Sequence, residues 1–134
     1  MEIACASINR TVRSGEQIAS FDASALDAAG KDIVEIVLEG VEKTACSRVL
    51  RLSLSSRSSR LILAGNLYTY GEGPLEGRQL ALITLSLDVT EAVRHLPRSG
   101  PVQVCLEILD GHGQSLKDEH LFIKRFHLRN VEAE

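Results

Sequence analysis

The sequence predicts an all-β fold: an antiparallel β-sandwich of about seven short strands with one short helix. Three observations predict it. Apolar residues recur with period two in several runs, as in "RVLRLSLSS" and "PVQVCLEIL". Turn-forming residues separate those runs at short, regular intervals. Only one stretch, around "LDVTEAV", changes to helical spacing.

Taken in order, the first third carries the weakest pattern. It predicts one strand around Ile18 to Phe21 and then a loop ending at Gly30. "IVEIVLEGV" (33–41) is rich in β-branched residues and is bounded by Gly30 and Gly40. "RVLRLSLSS" places Leu50, Leu52 and Leu54 on one face and Arg51 and Ser53 on the other, a half-buried strand. "LILAGNLYTY" follows, with Gly65 marking a bulge. "RQLALITLSL" puts Ala81, Ile83, Leu85 and Leu87 on one side, with Leu80 and Leu82 opposite, so its start is expected to be covered on both faces. In "PVQVCLEIL" the inward set is Val102, Val104, Leu106 and Ile108, and Asp110-Gly111-His112-Gly113 then signals a turn. "HLFIKRFHL" is the closing strand.

The helical stretch has its own logic. Asp88 is placed to cap it, and Glu91 stands three residues on, where a capping box wants it. Val89, Ala92, Val93 and Leu96 share a face, and Pro97 and Gly100 end the run. About two turns are expected, too few to be stable unless packed on the sheets. One domain spans 1–134, without repeat or linker, and the polar tail 129–134 is expected to fray.

Composition narrows the function classes. The 134 residues are 44% hydrophobic and 25% charged, with net charge −3 and no basic stripe, which argues against nucleic acid as a partner. No apolar run is long enough to span a membrane. The start, "MEIACASINR", lacks the basic-then-apolar pattern of a secretory leader, so a cytoplasmic protein, or one whose leader has been removed, is expected. Cys5, Cys46 and Cys105 are odd in number and widely spaced, and read as reduced, partly buried thiols.

Catalytic chemistry is hard to find. His95, His112, His120 and His127 form no helical pair, and at period two the odd separation of His120 and His127 puts them on opposite faces of one strand. The serines of "SLSSRSSR" lack a nucleophile elbow and read as a hairpin rim. "GEGPLEG" has glycines but no lysine or helix start after it. No catalytic residue, metal site or cofactor is expected, and the chain is read as not an enzyme. The least favoured reading is a small enzyme or metal binder using Cys105, His112 and His120.

What stands out is "LAGNLYTYGEG" (63–73), which holds both tyrosines among three glycines. In a strand Tyr68 and Tyr70 share a face, with Leu67 and Thr69 on the other. Either the rings pack a sheet, or they are presented to a partner by a protruding loop. On the second reading the partner-binding residues are Tyr68, Tyr70, Gly71, Glu72 and Gly73, within a loop running on to Gly77.

The order of motifs resembles a known family. "EIVLEGVEK", "RVLRLSL", "LAGNLYTYGEG", "LSLDVTEAVRHL", "GPVQVCLEILDGHGQ" and "LFIKRFHL" follow one another as in the C-terminal domain of tyrosinases and polyphenol oxidases, the type-3 copper oxidases. The similarity covers about residues 7–128, here as a stand-alone chain. It implies a jelly-roll-like sandwich. It also implies a non-catalytic role: docking on a type-3 copper oxidase catalytic domain or subunit, covering its dicopper site, or assisting its maturation. The oxidase activity does not carry over, because the paired helical histidines that hold copper are missing. The alternative reading is a structural or oligomerisation domain that self-associates through sheet edges.

Overall fold

In the computed structural model, which describes residues 1–30, 32–42, 46–57, 59–69 and 82–131, the alternating runs form eight strands. They are β1 (Glu2–Arg13), β2 (Glu16–Asp22), β3 (Ile33–Glu42), β4 (Arg48–Ser56), β5 (Ser59–Thr69), β6 (Leu82–Asp88), β7 (Pro101–Leu109) and β8 (His120–Val131). Two antiparallel four-stranded sheets result, ordered β1-β8-β3-β6 and β2-β7-β4-β5. The chain changes sheet at every step except the β4–β5 hairpin. This is the strand order of a jelly roll, in which two Greek keys wrap one core.

The core lies between the inner faces. Ile36, Leu38, Phe126 and Leu128 come from the first sheet, and Leu50, Leu52, Leu54, Val104, Leu106 and Ile108 from the second, all fully buried. The alternation read in β4 and β7 is therefore the sandwich interior. Among the described residues, no helix is long and apolar enough to cross a membrane.

Several expectations need correction. β1 was not expected; its sequence is rich in small and polar residues, and one extra residue, with Ile8 and Asn9 together opposite Lys124, breaks its period. Asn9 takes up the bulge with φ 44°. The expected loop before Gly30 is a 3-10 helix, Ala23–Ala29, which buries Ala23 and Ala29. The later helix, α1 (Thr90–Val93), has one turn rather than two. Its N-cap is Val89 rather than Asp88, with no side-chain cap; Asp88, one residue earlier, accepts from the Thr90 N–H at 2.9 Å and hydroxyl at 2.6 Å, and Glu91 pairs with Arg94 at 2.7 Å. Leu82 is exposed, so the start of β6 is not covered on both faces, while Leu80 and Ala81 lie outside the described residues. The tail does not fray at 129: Arg129, Asn130 and Val131 belong to β8, and the Asn130 N–H donates to the Met1 carbonyl at 2.9 Å.

Gly40 does not bound its strand but sits inside β3, at φ +67° against β8. A Cβ there would meet Lys124 Cβ at 2.6 Å, an atom fixed close to the backbone. Gly40→Ala is therefore expected to destabilise by about 2 kcal/mol in urea unfolding. Gly111→Ala, in open space, should stay within about 0.5 kcal/mol of the parent.

Three aspartates close the turns at strand ends. Asp22 accepts from the Ser24 N–H and hydroxyl and from Gly100 N–H, Asp88 from Thr90, and Asp110 from the N–H groups of His112 and Gln114. Ser24, Thr90 and Gln114 respectively are the main causes that hold these carboxyls below the ordinary aspartate range. A lowered folded-state pKa adds stability that is complete above the ordinary value and lost as pH falls through the lowered one. Replacing all three by Asn, which keeps the acceptor oxygen, should flatten the fall in stability below about pH 3.9. An unchanged acid limb would contradict the assignment.

Candidate functional site

β5 and β6 are edge strands of opposite sheets and lie against each other along one side of the sandwich. Gly65, at φ +147°, permits this approach, since a Cβ there would lie 2.9 Å from Leu87 Cδ1. It also marks the bulge expected from the sequence, because the β4 pairing skips Ala64 between Leu63 and Gly65.

Beyond the bulge, Leu67 and Thr69 turn into the core and Tyr68 turns out. The Thr69 hydroxyl donates to the Arg48 carbonyl at 3.4 Å, which satisfies a buried polar group. Before the bulge Ile62 and Ala64 pack inward, leaving Leu61 and Leu63 outside. Tyr68 is 57% exposed, Leu61 66% and Leu63 57%, so the ring is presented rather than packed. Tyr70, Gly71, Glu72 and Gly73, with the loop to Gly77, lie outside the described residues.

Four of the seven exposed large apolar side chains among the described residues are on this side: Leu61, Leu63, Tyr68 and Leu82. Leu63 and Ala64 also line a shallow pocket with Ile33 and Ala92, where the apolar surface meets the carboxylates of Asp88 and Glu91 at the start of α1. The opposite edge is built differently. There the Arg10–Glu16 pair at 2.6 Å joins β1 to β2 and puts charge on the edge, which hinders pairing with another strand. No charge stands among the outward residues Leu61, Leu63 and Tyr68 of β5.

The candidates for chemistry are placed apart. Cys105 faces outward on the second sheet, His112 lies in the turn after β7, and His120 begins β8 in the first sheet. Cys105, His112 and His120 are not brought together. Burial raises the Cys105 thiol pKa, which disfavours the thiolate. Cys5 and Cys46 are exposed rather than partly buried, and no disulfide joins the three cysteines.

The prediction for His120 and His127 also fails. In β8 the buried positions change from Leu121 and Ile123 to Phe126, Leu128 and Asn130, with Lys124 and Arg125 both exposed between them. Parity flips there, and both histidines point away from the core. His127 then stands beside Cys5, its direct partner across β1 and β8. Its Nδ1 meets Glu2 and its Nε2 lies 3.3 Å from Glu39 Oε2. Hydrogen bonding to His127 is the largest cause that holds the Glu2 and Glu39 carboxyls below their ordinary value. Sequence reading missed this cluster because β1 was missed. Glu2 and Cys5 are three apart, and only the extra residue Ile3 in β1 brings both to the outer face.

A scan against protein-family models finds no match, and a search of curated proteins finds no relative. Jelly rolls serve unrelated functions, so function here is argued from surface chemistry.

Proposed function

We propose that the chain is a non-catalytic binding module that docks on a partner protein through β5. The observation that carries this reading is the row of exposed Leu61, Leu63 and Tyr68 on an edge strand. A large aromatic ring with few rotamers, flanked by aliphatic groups, is a favoured interface anchor. As the edge strand of its sheet, β5 can in addition extend a partner's sheet.

The motif order described above supports a type-3 copper oxidase as that partner. A presented phenol ring has the chemistry of the phenols such enzymes oxidise, so Tyr68 at the mouth of the dicopper pocket shields it. The test is direct. The chain is immobilised and offered a type-3 copper oxidase from its native source, and phenol oxidation is followed with and without added chain. Retention with slowed oxidation supports the reading; no retention refutes the oxidase as partner.

The same edge favours a second reading, pairing of two copies through β5. Sedimentation of the chain alone separates the two, because a concentration-dependent dimer abolished by Leu63→Lys belongs to self-association.

A further inference from the structure

On the outer face of the first sheet, away from β5, the structure assigns a zinc-type divalent cation site to Glu2, Cys5 and His127, with Glu39 as the carboxylate that orients the histidine. Among the described residues, these three are the group whose carboxylate oxygen, thiol sulfur and ring nitrogen all lie within 4.8 Å of one another. Thiolate, imidazole and carboxylate together are the donor set of a borderline d10 cation; a calcium or magnesium site would be built of oxygen alone. Donors bound to one tetrahedral zinc ion at about 2.0–2.3 Å lie about 3.3–3.8 Å apart, a spacing that the exposed Glu2 and Cys5 side chains reach by rotating toward His127.

The histidine decides the arrangement. One of its nitrogens can take the ion, and Nδ1 is the one facing Glu2. Nε2–H is then left to donate to Glu39 Oε2, now 3.3 Å away. A carboxylate behind a ligating histidine is the usual outer partner in such sites, fixing tautomer and ring orientation. Binding at Nδ1 requires the neutral tautomer with its proton on Nε2, so a proton held at Nδ1 in the free protein moves to Nε2, while the Cys5 thiol proton is released to solvent. Three protein ligands leave a fourth position toward the shallow pocket lined by Val37, Thr84 and Arg129, where water completes the tetrahedron. The nearby cations Lys124 and Arg125 partly offset the anionic charge that the ligands bring.

The experiment uses the full chain without a tag, freed of metal and titrated with Co²⁺ and then Zn²⁺. The expected result is one equivalent of cobalt, a thiolate-to-cobalt charge-transfer band in the near ultraviolet, tetrahedral visible bands, and displacement of cobalt by zinc. Cys5→Ser removes the charge-transfer band, whereas Cys46→Ser and Cys105→Ser keep it. His127→Ala weakens binding at least tenfold, and Glu39→Gln weakens it about 10–100-fold while leaving the band in place. Absence of the band in the parent chain, or its survival in Cys5→Ser, overturns the site. An unchanged affinity in Glu39→Gln removes Glu39 from it. Circular dichroism of each variant, expected to match the parent because Cys5 and Glu39 are not core residues, keeps loss of metal distinct from loss of fold.

Discussion

Phe126→Ala is expected to lower the stability of the fold by about 3–5 kcal/mol, and the melting temperature by on the order of 10 °C or more. Phe126 is fully buried in β8, which lies between β1 and β3 in the first sheet. Its neighbours across the ladders are Ala6 on one side and Leu38 on the other. Ala6 is too small to move into the space the ring leaves, and Leu38 is itself held in the core. A cavity therefore persists, and the lost transfer and contact energies add. Phe122 supplies the comparison: it lies on the outer side of the same strand and is only partly buried, so Phe122→Ala should cost about 1 kcal/mol. Equal effects in urea unfolding would place the hydrophobic layer elsewhere.

Tyr68→Ala is expected to do the opposite, sparing the fold and disabling the interface. The side chain is 57% exposed and its neighbours Leu67 and Thr69 keep the strand anchored, so stability should stay within about 1 kcal/mol of the parent. Partner binding should weaken by about 2–4 kcal/mol, at least thirty-fold, as for a central aromatic anchor. Tyr68→Phe separates the ring from its hydroxyl: retained affinity assigns the energy to burial, and a loss assigns it to a hydrogen bond in the complex. If Tyr68→Ala collapses the fold, or binding is unchanged, the ring is not the anchor.

Much of the architecture is legible in the residues. Strict alternation in β4 and β7 works because each strand buries one face, so Leu50, Leu52, Leu54 and Val102 to Ile108 reveal their inner side directly. Leu67, Thr69 and Tyr68 likewise sort correctly, and Gly65 marks its bulge. The misses share a physical cause. Period-two reading assumes an unbroken strand, and bulges at Ile3, at Ile8–Asn9 and beside Lys124 shift the faces. They hid β1 and sent His120 and His127 to opposite sides on paper. The cluster of Glu2, Cys5, His127 and Glu39 could not be found from spacing, because β1, β8 and β3 meet only through tertiary pairing. The capping box fails because the helix starts one residue later than expected: with Val89 as N-cap, Ala92 and not Glu91 stands three residues on.

Hydrogen–deuterium exchange of the chain, alone and bound to a type-3 copper oxidase from its native source, tests the docking surface most directly. The expected result is slowed exchange within residues 61–69, with the outer face of β1 and β8 unchanged. Protection on β1 and β8 with none on β5 would contradict the account.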